Sequence, residues 1–229
     1  MIQMSSQALL WNDFCRVHKV SETSVPLFEH DEHLTVSTKE LGKREQRRVL
    51  KRSTQMDELL SNEVGKIVED WKQGTELFDG LIYIMHKRGT DGGVVPLYIG
   101  KAEKYGKGDR NLSANLKDLQ TSRGKFARWG DQYAYHIGDL SAVVLPGHQP
   151  TKRTRKYQSW ADALFVSNPS GEVRLREEVF LWVKAWSVND VSVWQDFGCV
   201  RLTFLEYLLI GVASHAFPGV LLNREGQNR

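Results

Sequence analysis

Residues 80–101 read GLIYIMHKRGTDGGVVPLYIGK. Two short apolar runs, LIYIMH and VPLYIGK, are rich in β-branched and aromatic residues. They flank a polar gap, GTDGG, whose glycines suit the positive φ of a hairpin loop. The pattern predicts two antiparallel strands, with Tyr83 on the first and Tyr98 on the second. As a cross-strand packing pair the two tyrosines would serve stability alone. Two phenols at matching places also raise the question of chemistry.

Upstream, Ser53 is a candidate N-cap. From it Met56, Leu59, Leu60, Val64, Ile67, Val68 and Trp71 follow the spacing of one face of an amphipathic helix, with Gly74 as its stop. The preceding TKELGKREQRRVLKR is expected to be a further helix, or the same one continued, with a strongly basic face. Residues 1–77 thus read as a helical N-terminal extension, for DNA grip or dimerisation. Downstream, NLSANLKDLQ reads as a helix start with Leu112, Leu116 and Leu119 on one side, and YAYHI as a short strand. Residues 142–175 read as a polar, basic insertion. EEVFLWVKAW has the apolar character of a well-buried strand, and VRLTFLEYLLIGVASHAF that of an apolar helix ending near Phe217-Pro218-Gly219.

The chain has 229 residues, 41% hydrophobic and 26% charged, as in an ordinary soluble globular protein with one main domain and an accessory segment. Cys15 and Cys199 are too few for a disulfide framework or a zinc site, so a reducing cytoplasm is the expected compartment. No apolar stretch approaches the roughly 18 residues of a membrane span, and no membrane partner is expected.

The net charge of +3 is small, but its positive residues cluster in KREQRRVLKR, KAEKYGKGDR and TKRTRKY. Taken singly, such clusters are most often solvated faces. Three together point to phosphate contacts, with Lys104, Lys107, Lys152, Arg153, Arg155 and Lys156 as candidates.

Glu206 lies inside the apolar helix LTFLEYLLIG, where an unpaired carboxylate is costly to bury. It sits on an exposed stripe, pairs with an arginine, or holds a metal.

The LIY of residues 81–83 and the YIG of 98–100, followed by a basic region, E-Y-L-L-I and a late asparagine, resemble the GIY-YIG endonucleases over residues 78–225. The resemblance implies an α+β nuclease domain, residues 78–229, with a small three-stranded antiparallel sheet flanked by helices. It implies Tyr83 as general base or proton relay, Tyr98 positioning water and phosphate, an arginine on the scissile phosphate, Glu206 holding one Mg²⁺ or Mn²⁺, and Asn223 supporting the phosphate side. Lys101, directly after YIG, is a candidate to lower a phenol pKa. The phosphate arginine is Arg128 or Arg110, with Arg128 preferred because FARWG…YHIG sets it near His136. His136 itself is a second acid or base, a phosphate ligand, or a structural histidine.

The first motif departs from the family in having its glycine one place early, at Gly80, which removes the close backbone approach expected at position 81. The function implied is metal-dependent hydrolysis of double-stranded DNA, in restriction or defence against foreign DNA, by a homodimer joined through residues 53–73. The alternatives are a non-catalytic nucleic-acid-binding module of the same fold, a nuclease for RNA or branched DNA, and a regulatory protein whose tyrosines only pack.

Overall fold

Around the predicted hairpin the chain builds an antiparallel sheet. The computed structural model describes residues 5–41, 47–106, 111–114, 116, 117, 137–192 and 197–227. In chain order the elements are α1 (Ser6–Val17), α2 (Val20–Thr23), β1 (Val25–Pro26), β2 (Thr38–Leu41), β3 (Arg47–Leu50), α3 (Thr54–Lys72), β4 (Phe78–Arg88) and β5 (Val94–Glu103). There follow α4 (Ile137–Val144), a 3-10 turn (Pro150–Lys152), α5 (Arg155–Leu164), β6 (Phe180–Ser187) and α6 (Leu202–Ala216).

The fold is α+β, with one sheet of order β1-β6-β4-β5 and a separate β2-β3 ribbon. The main sheet is therefore four-stranded among the described residues, where three strands were expected. The addition is the two-residue β1 on the outer edge of β6.

The elements divide between two compact units, one of residues 1–25, 62–114 and 180–229, the other of 26–61 and 115–179. These boundaries differ from the expected division at residue 77. The N-terminal helix α1 falls in the same unit as the hairpin.

In the first unit, alternation along β4 sends Ile82 and Ile84 to one face of the sheet and Leu81, Tyr83 and Met85 to the other. The isoleucine face, with Ile99, Trp182 and Trp186, packs against Trp11 and Phe14 of α1 and Leu202, Leu205 and Leu209 of α6. The indole N–H groups that this core buries are satisfied: Trp11 donates to the Val94 carbonyl at 2.8 Å and Trp186 to that of Val200 at 2.9 Å. On the other face Leu81, Met85, Leu181 and Val183 are also buried, so β4 and β6 are covered on both sides.

In the second unit, the segment read as a basic helix is the β2-β3 ribbon, with Glu40 opposite Arg48 and Lys39 opposite Val49. Its many Lys, Arg, Glu and Gln residues favour a helix locally. Burial of Val49 and Leu50 in succession at the end of β3 decides otherwise. The hydroxyl of Ser53 accepts the Met56 N–H at 3.0 Å, the capping contact expected at the start of α3. Met56 and Leu60 are buried in the part of α3 that belongs to this unit; in the part that belongs to the first unit Val64, Ile67 and Val68 are buried, whereas Trp71 is exposed. Where a helix was expected near residue 111, Leu112 instead bridges Tyr105 and the chain turns. The rest of that segment and YAYHI up to His136 lie outside the described residues.

Candidate functional site

The residues singled out in the sequence converge on four consecutive positions of β5, Tyr98-Ile99-Gly100-Lys101. β5 is the edge strand of the sheet. Tyr83 stands opposite Gly100 in the β4-β5 ladder and Tyr98 opposite Met85. Their rings lie on the same face with centroids 6.3 Å apart and planes 26° from parallel.

The phenol end of Tyr83 lies across Gly100. A Cβ built on Gly100 would stand 2.4 Å from the Tyr83 hydroxyl oxygen and 2.5 Å from Cζ. Only glycine leaves room for that crossing, which carries the hydroxyl from the middle strand over the edge strand. Tyr83 is 6% exposed and Tyr98 is half-buried. The displaced glycine of the first motif serves a similar purpose. Gly80 has φ 149°, and a Cβ there would meet the Ala102 carbonyl oxygen at 2.2 Å. The close approach expected at position 81 is therefore present, one residue earlier.

On either side of Gly100, polar groups grasp the free edge of β5. The side chain of Asn223 accepts the Ile99 N–H at 3.0 Å and donates to the Ile99 carbonyl at 2.8 Å, while the Leu222 N–H donates to the Leu97 carbonyl at 2.8 Å. Both ends of the Asn223 amide are thus engaged by backbone, so whatever support it gives the phosphate side passes through β5. Glu206, on α6, accepts from the backbone N–H of Lys101. Burial pushes the Glu206 carboxyl above its ordinary range. The nearby Lys101 ammonium opposes that push, and the Glu103 charge adds to it.

Lys101 stands opposite Ile82 and so projects from the face of the sheet away from the two tyrosines. There it pairs with Glu103, which also accepts from the Thr203 hydroxyl at 3.0 Å. The hydrogen bond from Lys101 holds the Glu103 carboxyl below its ordinary range. Lys101 is consequently a neighbour of Glu206, and its expected role beside the phenols is corrected by strand alternation.

Lys104 is also corrected. It was expected on the surface, facing phosphate, yet its side chain is 1% exposed and its ammonium lies 2.8 Å from Asp70 and 2.6 Å from the Thr75 carbonyl. Among the basic candidates, Arg153 and Arg155 are exposed, Lys156 lies over the Tyr157 and Trp160 rings at 5.4 and 5.5 Å, and Lys152 is the last residue of the 3-10 turn, which the Arg153 N–H closes onto the Pro150 carbonyl. Arg110, Arg128, His136 and Lys107 lie outside the described residues.

The sequence reading missed Glu103 and Thr203. The signal for Glu103 was its spacing from Lys101, two residues along one strand and hence on the same face.

The metal expectation rests on few groups. Among the described residues no three His, Cys, Asp or Glu side chains cluster to hold an ion. Glu206 and Glu103 are the carboxylates near the rim, and Glu103 is already paired with Lys101 and bonded to Thr203; a hard cation of the Mg²⁺ kind takes one or two carboxylates, completed by water and substrate oxygens. Neither a family model, nor a curated protein, nor a solved structure matches the chain.

Proposed function

We propose that the chain is a metal-dependent endonuclease that hydrolyses DNA phosphodiester bonds to a 5′-phosphate and a 3′-hydroxyl. One observation carries this reading. The Tyr83 hydroxyl crosses the edge strand at Gly100, between the residues grasped by Asn223 and Glu206. A phosphate seated at the rim of β5, rather than over either face of the sheet, would meet Tyr83, Tyr98 and Glu206 together.

In the reaction, the oxygen of a water bonds to phosphorus, the P–O3′ bond breaks and O3′ takes up a proton. A phenol with pKa near 10 is a weak base alone, so Tyr83 acts as a relay that accepts the water's proton as its own passes to solvent, and solvent returns one proton to O3′. Tyr98, the more open phenol, orients the water and phosphate. The resemblance also implies an arginine on the phosphate, for which both candidates, Arg110 and Arg128, lie outside the described residues. A bound Mg²⁺ would supply charge stabilisation on the phosphoryl oxygens, with Glu206 as its protein ligand.

Asn223 favours a second reading. Its amide is spent on the strand, which suits a non-catalytic nucleic-acid-binding module of the same fold equally well. Incubation of supercoiled plasmid with Mg²⁺ or Mn²⁺ separates the two. The nuclease reading expects nicking or linearisation, reduced at least about a hundredfold in Glu206→Gln. Binding without cleavage by the folded wild type would establish the second reading, and undiminished cleavage by Glu206→Gln would remove Glu206 from the mechanism.

A further inference from the structure

Two of the basic runs, KREQRRVLKR and TKRTRKY, are separated by about a hundred residues in sequence. In the second unit they come together. The Leu50 N–H of β3 donates to the Ser141 hydroxyl of α4 at 3.0 Å, and the imidazole Nε2 of His148 lies 2.8 Å from the Arg48 carbonyl. The chain from Ser141 to His148 therefore runs beside β3 and delivers the segment that holds Arg153 and Arg155 to the neighbourhood of the ribbon. Arg48, Lys39, Arg153 and Arg155 are exposed. Glu40, opposite Arg48 in the ladder, is the acidic neighbour of this surface. Among the described residues Arg48, Arg153 and Arg155 take part in no ion pair.

From this juxtaposition we infer that the second unit carries a surface for the phosphate backbone of double-stranded nucleic acid, formed by Arg48 with Arg153 and Arg155. The inference deepens the nucleic-acid part of the proposed function and rests on it. Two observations fix the kind of partner. The large exposed apolar side chains of the described second-unit residues reduce to Val166, and Tyr157 and Trp160 beside the basic run are buried. Among the described residues of this unit no exposed aromatic offers a platform on which to stack unpaired bases, and no apolar rim offers an anchor for a lipid interface. Arginines paired with phosphate oxygens fix position on a duplex and carry no sequence information directly.

The test measures binding of the full chain to a labelled duplex of mixed sequence, in chelator, between about 50 and 200 mM salt. Each phosphate contact contributes about 0.9 to the slope of log affinity against log salt. Arg48→Gln/Arg153→Gln/Arg155→Gln should therefore flatten the slope by about three, and the matching triple Arg→Lys variant should restore most of it. A second triple, Arg16→Gln/Lys66→Gln/Lys72→Gln, removes the same charge from exposed positions of the first unit and should leave the slope unchanged. An unchanged slope in the first triple overturns the inference, as does an equal loss in the second, which would mean diffuse net charge. Retained duplex binding with loss of binding to phosphatidylserine vesicles also overturns it, in favour of a lipid surface. Binding is read in chelator and cleavage in the separate plasmid assay with Mg²⁺ or Mn²⁺, so intact binding in the first with no cleavage in the second would sink the enzyme and leave this surface standing. Cleavage with an unaltered salt slope would do the reverse.

Discussion

Lys101 and Lys104 lie three residues apart on one strand and its continuation, and they inhabit opposite electrostatic worlds. Lys104 and Asp70 are both 1% exposed in their side chains and in contact at 2.8 Å. Burial alone would raise the Asp70 carboxyl, but hydrogen bonds from Lys104, Thr75 and the N–H groups of Leu77 and Phe78 outweigh it and hold it low. Burial would likewise lower Lys104, yet the bond to Asp70 leaves it raised. Every strong group there has what it needs. At Lys101 one ammonium faces two carboxylates, Glu103 takes it, and Glu206 is left with a raised pKa. A satisfied buried pair maintains a fold, whereas a carboxylate left short of compensation is poised to accept a cation or a proton.

The largest effect that would break this contrast is at the satisfied pair. Lys104→Met should lower unfolding stability by about 3–5 kcal/mol in urea titration, because it strands the Asp70 charge in the interior. A loss below about 1 kcal/mol would show that Asp70 finds other compensation, and the two lysines would then differ in position alone.

A buried titratable group without a carboxylate partner offers the next test. His86 is enclosed by Ser24, with Nε2 at 2.7 Å from its hydroxyl, and by Phe180 stacked at 5.6 Å. Burial lowers its pKa from 6.5 to about 4. The unfolded chain binds this proton first, so the His86 contribution is complete above pH 6.5 and is lost as the pH falls toward 4. The total is roughly 3 kcal/mol. In His86→Gln the dependence of stability on pH between those values should flatten; an unaltered dependence would place the acid sensitivity elsewhere.

At the rim, Gly100→Ala introduces a methyl group 2.4 Å from the Tyr83 hydroxyl. It should cost about 1–3 kcal/mol in stability and abolish plasmid cleavage, since the phenol must leave the rim. Retention of activity would mean that the crossing is packing only.

The smallest effect sharpens the comparison by its sign. Glu206 has a raised folded-state pKa, so its contribution to stability is present at low pH and lost as the pH rises through that value. Asp70 is lowered, so its contribution is present above the unfolded carboxylate pKa and lost as the pH falls. Glu206→Gln should accordingly be neutral or slightly stabilising at pH 7, and Asp70→Asn destabilising. Thermal melts of wild type beside both variants would report the opposite signs: the Asp70 difference should shrink as the pH falls below the ordinary aspartate value of 3.8, and the Glu206 difference should appear as the pH rises above the ordinary glutamate value of 4.5.

What could be read in the sequence was what local pattern controls. The alternation and glycines of residues 80–101 marked β4 and β5, and the apolar runs marked β6 and α6. The ribbon escaped because charged helix formers outvote two buried residues, Val49 and Leu50, when neighbours are invisible. The sides of the sheet escaped too. Lys101 follows Gly100 directly, yet one step along a strand reverses the face, and closeness in sequence was mistaken for closeness to the phenols. The division into units depends on pairings between distant segments, such as β4 with β6, which no window of sequence displays.

The clasp of Asn223 on Ile99 has a further meaning. An edge strand with an open row of N–H and C=O groups is a template for any passing extended chain. By occupying Leu97 and Ile99 with Leu222 and Asn223, the segment 221–223 behaves as a molecular selvedge, finishing the sheet so that it cannot be lengthened by a stranger. Loss of that hem in Asn223→Ala would register first as clumping on storage, before any change in chemistry.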